Sequence, residues 1–224
     1  MRKAIFFLVL CLIILGCGQK KSSANEAKSG SQTDNVFFTS ESIKLVNDTA
    51  KIKRFVIVVA PRLFNDEEFK TTYQLLTRVG HKIKVASRDT VLAMGTTSAL
   101  LKPQMTINEI DTLGFDGIIL IGGTGAAIYW DEKIIHQVVQ NYAKTDNKIV
   151  AAICLAPITL LRAGILNGVK ATVFEDKATI DEFKNKGAIY EKTNVVVSKN
   201  IITASGPQAS EEFAKAIIRL AIGD

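Results

Sequence analysis

The chain is expected to fold as an α/β domain, a doubly wound and mostly parallel sheet with helices on both faces. Three observations predict this. Strand-like and helix-like patterns alternate from about residue 50 onward. The strand segments, such as residues 55–60 (FVIVVA), are continuous apolar runs rather than alternating ones, which suits strands covered on both faces. Two of these runs end in turn residues of chemical interest, Gly122-Gly123 and Cys154. In a doubly wound sheet that is where ligands gather, beyond the carboxyl ends of the strands.

Taken in order, residues 55–60 form the first strand. Asn65 or Asp66 is placed to cap a helix running to about Val79, and Gly80 ends it. Residues 82–87 alternate into a second strand. Residues 90–104 carry mixed signals and are read as a small hairpin. Thr106 and Glu109 have capping-box spacing for a short helix. Residues 117–121 form a third apolar strand, followed by a helix over 131–143 with Ile134, Ile135, Val138, Val139 and Tyr142 facing inward. A fourth strand, 148–153, runs directly into Cys154, and residues 157–163 are helical. Strands near 195–197 and 201–204 and an amphipathic helix from about Ala209 complete the domain.

The N-terminus carries a different message. Arg2-Lys3 precedes an apolar run over residues 4–15, then Gly16-Cys17. A bilayer-spanning helix needs about 20 apolar residues, so this shorter run reads as a secretory signal. Ile14-Leu15-Gly16-Cys17 resembles the bacterial lipobox, with Leu15 bulkier than the small residue usual there. The expectation is removal of residues 1–16 and acyl chains on Cys17, which hold an exported protein at a membrane surface. Residues 17–49 are rich in Ser, Lys, Asn and Gln and read as a flexible tether. The folded domain is then residues 50–224. The net charge of +6 is spread without a dense basic run, so a nucleic-acid partner is not expected.

Cys11 leaves with the signal and Cys17 takes lipid, so Cys154 is the single free thiol of the mature chain and no intramolecular disulfide is available. Ala151-Ala152-Ile153-Cys154-Leu155-Ala156-Pro157 passes from buried strand to helix within two or three residues. That is the layout of a nucleophile elbow. A helix N-terminus aimed at the sulfur favours a thiolate, so Cys154 is expected to titrate below the free-thiol value of about 8.5. Gly122-Gly123 ends the neighbouring strand, and the Gly123 and Leu155 N–H groups are candidates for an oxyanion hole. A dinucleotide loop is the rival reading, but its third glycine is missing and it follows the third strand rather than the first. No His/Cys/carboxylate cluster has metal-ligand spacing, and no cofactor is expected.

Taken together, Arg78–Ser87 (RVGHKIKVAS), Asp116 with Gly122-Gly123, Ala151-Ala152-Ile153-Cys154-x-x-Pro157 and Ser205-Gly206-Pro207 resemble the ThiJ/PfpI family, also called the DJ-one superfamily. The likeness spans residues 53–221. It implies a flavodoxin-like sandwich, related to class I glutamine amidotransferases, and a homodimer or higher homo-oligomer. It also implies a glutamate near the first strand that hydrogen-bonds the cysteine. Counting back from Gly80, the matching residue is Glu68, whose carboxyl beside a thiolate is expected to be protonated. The departures concern histidine: Leu155 follows the cysteine where protease-like members have His, and Phe174 stands where others place one. The two histidines present, His81 and His136, are read as surface residues, so a Cys–His peptidase lacks its base.

The resemblance points to cysteine-dependent work on small dicarbonyls, glyoxalase-like or deglycase-like, with Cys154 adding to a carbonyl and Glu68 moving the proton. A redox sensor, in which the thiol oxidises to sulfinic acid, is the second reading. A binding module that keeps the elbow as architecture is the third, and a peptidase or amidase with another base the fourth.

Overall fold

The computed structural model describes residues 52–223; the expected signal, Cys17 and the whole expected tether lie outside them. Seven strands form the central sheet: β1 (Arg54–Val58), β3 (Lys82–Ser87), β6 (Met105–Thr106), β7 (Gly117–Leu120), β8 (Ile149–Ile153), β11 (Val195–Ser198) and β12 (Ile201–Ala204). Their order is β11-β12-β8-β7-β1-β3-β6. All neighbours are parallel except the edge pair β11 and β12. The five residues of β8 and the four each of β7 and β12 are all buried, as expected for strands with both faces covered.

Helices α1 (Asp66–Arg78) and α5 (Ser210–Ile222) pack on each other, while α2 (Lys133–Lys144) packs with α3 (Pro157–Arg162), which in turn meets α4 (Lys177–Asn185). The core between sheet and helices is built from Phe55, Ile57, Ile118, Ile119, Tyr142, Phe213 and their neighbours. The expected doubly wound, flavodoxin-like sandwich is the fold observed.

Several elements match closely. Asn65 caps α1, its side chain accepting from the Glu68 N–H at 3.0 Å, and Gly80 leaves the helix at φ +90°. The Glu109 carboxylate accepts from the Thr106 N–H at 2.7 Å. The hairpin is β4 (Ala93–Gly95) with β5 (Leu100–Leu101), and it is extended by β2 (Arg62–Phe64) into a small second sheet.

Two expectations are corrected. Ile134 is 37% exposed, because α2 begins at Lys133 and its buried stripe starts one residue later, at Ile135. His81 is not a surface residue: it is 3% exposed, its ring meets Phe55 edge-on at 5.4 Å, and its Nδ1 accepts from the Lys53 N–H at 3.2 Å. Burial lowers its pKa and keeps it neutral. Helix α4 and the two-stranded pair β9 (Lys170–Ala171) with β10 (Ile189–Tyr190) lie in a stretch to which the sequence reading assigned no elements.

Candidate functional site

The register of the sheet brings the chemistry together. Ile119 pairs with Ala151 and Leu120 with Ala152, so the turn after β7 (Gly122-Gly123) and the turn after β8 (Cys154) are side by side. Helix α1 follows β1, which lies on the other flank of β7, and its first turn delivers Glu68 to the same spot. Glu68, Gly122, Gly123 and Leu155 therefore all converge on Cys154.

Cys154 is a true elbow. Its φ is +64°, a left-handed conformation that costs a non-glycine residue about 1–3 kcal/mol and persists only when its surroundings enforce it. They do. The Cys154 N–H donates to Ala204 O at 2.9 Å, and Phe174 N–H donates to Cys154 O at 2.9 Å. The following residue is fixed as well, Trp130 Nε1 donating to Leu155 O at 3.0 Å. Neighbouring close packing demands glycine at 122: a Cβ there would stand 2.5 Å from Cys154 Cβ and 2.8 Å from Glu68 Oε2. Gly123, at φ +90°, likewise has no room for a side chain against the Leu63 carbonyl. The glycines thus serve close packing of the 62–65 segment on the elbow, which accounts for them without a nucleotide.

Glu68 is fully buried. Its Oε2 accepts from the Gly122 N–H at 2.8 Å, its carboxyl interacts with the Cys154 thiol, and its Oε1 is buried with no hydrogen-bond partner. Burial pushes this carboxyl up to about 7, against the opposing pull of the Gly122 N–H and the thiol. Asn65 makes the inward position available by taking over the cap of α1. The two acids beside Glu68 do other work. Asp66 accepts from the N–H groups of Thr97, Ser98 and Ala99 at 3.0, 3.0 and 2.6 Å, which fastens the β4–β5 turn to α1. Burial opposes its ionisation, but those donors win and hold its carboxyl well below the usual range. Glu67 accepts from the Thr71 hydroxyl at 2.6 Å.

The thiol itself departs from expectation. Cys154 is 5% exposed, and burial first, then the negative charge of Glu68, pushes it up to about 12, rather than below the free-thiol value. The N–H groups of Gly123 and Leu155 face the sulfur and pull the other way, as intended for an anion, but they are outweighed. The expected help from a helix dipole is small, because α3 has only six residues and starts three positions on, at Pro157. In its resting state the site is a thiol beside a carboxyl that titrates near neutrality.

Neither histidine acts on the thiol. His136 is half-buried, its Nε2 2.8 Å from Trp130 O. Phe174 has a side chain 41% exposed and contributes only its backbone N–H. One supporting network was not anticipated from the sequence. Arg162 lies 5.1 Å over the Trp130 ring, pairs with Glu182 at 2.7 Å and with Asp131 at 2.7 Å, and so braces the indole that holds Leu155. The only trace of it in the sequence is the single tryptophan nine residues after the third strand's predicted end. Among the described residues no group of three or more His, Cys, Asp or Glu is placed to hold a metal ion.

Comparisons with known proteins agree with this fold. Residues 53–220 match the DJ-1/PfpI family. An uncharacterized protein of Methanocaldococcus jannaschii is 36% identical over 77% of this chain and 84% of its own length. A glutathione-independent glyoxalase of Caenorhabditis elegans is 28% identical over 74% of this chain and 87% of its own. Deglycase PfpI of Pyrococcus furiosus is 26% identical over 74% of this chain and 98% of its own, so that relative is little more than this one domain. Among solved structures, a ThiJ/PfpI domain protein from Brachyspira murdochii superimposes with a TM-score of 0.72 at 28% identity, covering 76% of this chain and 96% of that one. An elbow cysteine with a buried glutamate beside a Gly-Gly turn, on this sheet and with these relatives, makes the chain a member of the DJ-1/PfpI family.

Proposed function

We propose that the protein is an envelope-anchored enzyme of small-molecule carbonyl chemistry, glyoxalase-like or deglycase-like. The observation that carries this reading is the fully buried Glu68 carboxyl against the Cys154 thiol, titrating near neutrality. Sulfur adds to the aldehyde carbon of a dicarbonyl, forming the S–C bond, while the S–H proton passes to the Glu68 carboxylate. Glu68 then gives that proton to the carbonyl oxygen, leaving a hemithioacetal on Cys154. A carboxyl with a pKa near the working pH suits both halves of this transfer. The Gly123 and Leu155 N–H groups, already turned to the sulfur, stabilise negative charge that develops there. A thiol 5% exposed is open to small molecules rather than to folded polypeptides, and with no histidine base a peptidase is disfavoured.

Consumption of methylglyoxal by the protein and by Cys154→Ala is the direct test. Turnover lost in the variant supports the enzyme; full retention of function in the variant would instead make the elbow mere architecture. The second reading, a redox sensor, draws on the same sulfur environment, since the two N–H groups would also hold a sulfinate. Oxidation of Cys154 by peroxide without dicarbonyl turnover would favour it. The anchor rests on Ile14-Leu15-Gly16-Cys17. Mass analysis of the mature N-terminus tests it: acylated Cys17 is expected, and an unmodified N-terminus at another residue overturns it. Assembly as a homodimer or larger oligomer belongs to the same proposal and is read by light scattering.

A further inference from the structure

The two ends of the sheet differ in character. At the carboxyl ends of the strands lies Cys154; at the amino ends lies a basic edge. Because Arg54 pairs with Lys82, and the N–H groups of Ile149 and Val150 donate to the carbonyls of Asp116 and Asn200, the residues just before the parallel strands form one row. That row reads Lys199, Lys148, Asp116, Lys53-Arg54 and Lys82 across the sheet. Asp116 is occupied, accepting from Arg54 N–H at 2.8 Å with Lys148 at 3.9 Å. Lys53, Arg54, Lys82 and Lys199 are exposed or half-exposed, and among the described residues none of them is in an ion pair. Two apolar side chains stand out at the same end. Leu113, in the turn before β7, is 82% exposed, and Ile52, just before β1, is 61% exposed.

Unpaired cations interleaved with exposed aliphatic side chains suit a surface that is anionic and oily at once. Nucleic acid would meet the charges but not the leucine and isoleucine. The chain also enters the domain at this edge, at Ile52, coming from the segment that carries Cys17. We propose that the amino-terminal edge of the sheet is a docking face for anionic phospholipid, which seats the domain on the membrane with Cys154 on the far side. Strand β8 alone separates the two ends by about 17 Å, so the reactive site is held clear of the bilayer and open to solutes. The seating rests on the anchored reading above; lipid binding by the edge does not.

The test uses the domain alone, residues 50–224, since the relatives that consist almost wholly of this domain show it to be a self-sufficient unit. The protein is pelleted at low ionic strength with vesicles of phosphatidylcholine, or of phosphatidylcholine with about one-third phosphatidylglycerol. Expected is binding to the anionic vesicles only, weakened by added salt. K53E/K82E/K199E should lose about 100-fold or more in affinity, since each charge near such a surface is worth about fivefold. Leu113→Ser should lose severalfold at unchanged charge. Arg62→Glu, at the opposite end of the sheet, should bind as wild type, and melting curves confirm that each variant is folded. No binding, equal binding to neutral vesicles, unaltered binding by the triple variant, or binding to duplex DNA in place of vesicles each overturns the proposal. The domain lacks Cys17, so its failure here would leave the anchor to be judged separately by N-terminal mass.

Discussion

The N–H of Gly122 donates to Oε2 of Glu68 at 2.8 Å, so that one oxygen of a fully buried carboxyl is pinned by backbone while the group as a whole leans on the Cys154 thiol. A single backbone donor is too little to keep a buried carboxylate ionised, which is why burial prevails and the group titrates near 7. The behaviour of the site follows from this imbalance.

Glu68→Gln keeps a hydrogen-bond donor for the sulfur but cannot carry a proton; Glu68→Leu removes both. Dicarbonyl turnover should fall by about 100-fold or more in each. Sulfinic oxidation of Cys154 needs only the hydrogen bond and should survive better in Gln than in Leu. Dicarbonyl-consumption assays run beside peroxide mass spectrometry read both; wild-type behaviour in all four measurements would reduce Glu68 to a charged helix start.

The alkylation rate of Cys154 with iodoacetamide, followed against pH, should show its midpoint above the free-thiol value of about 8.5. Burial is the first cause and the Glu68 charge the second, so Glu68→Gln should move that midpoint down. A wild-type midpoint below about 8.5 would restore the acidified thiol first expected from the elbow.

Stability should fall with pH through the same residue. The folded state keeps the Glu68 proton up to about 7, whereas the unfolded chain releases it near 4.3. Between those values the native state binds more protons, so the contribution is fully present below about 4 and lost as pH rises through 7. Wild type should lose about 3 kcal/mol relative to Glu68→Gln between pH 4 and pH 8. Urea unfolding of both proteins at the two pH values checks it, and parallel curves would show that folding does not raise the Glu68 pKa.

Gly122→Ala pushes a methyl group against Cys154 Cβ, Ile153 O and Glu68 Oε2 together. The expected result is destabilisation of about 1–3 kcal/mol and loss of turnover, because the thiol and the carboxyl are moved apart. Chemical denaturation with assays on the folded fraction separates the two effects.

Six of the seven sheet strands were legible, most from apolar runs and Lys82–Ser87 from an alternation that matches its observed limits, whereas β6, two residues long, was not. Glu68 was legible only through its spacing from Gly80 in a known family pattern, since a glutamate at a helix start normally faces water. The segment after α3 was not legible: β9 and β10 are two residues each, too short for any period, and α4 buries only Thr179 and Phe183. The thiol's acidity was misjudged because the elbow motif signals a helix but not its length, and says nothing of how deep the sulfur lies. His81 was misjudged because a histidine beside a strand looks polar in sequence, while a neutral ring packs on Phe55 like any aromatic side chain.

The left-handed backbone at Cys154 sets stability against chemistry at one position. Cys154 is the residue of the elbow with a positive φ, and at +64° the ideal occupant is glycine, which has no Cβ to crowd the carbonyl. Cys154→Gly should therefore unfold at a higher urea concentration than Cys154→Ala, which retains the strain without the thiol. Random substitution judged by robustness alone would drift toward the inert glycine. A chain under that pressure keeps the sulfur only while its reactivity is being used, so the conformation of one residue ties the survival of the thiol to the work it does.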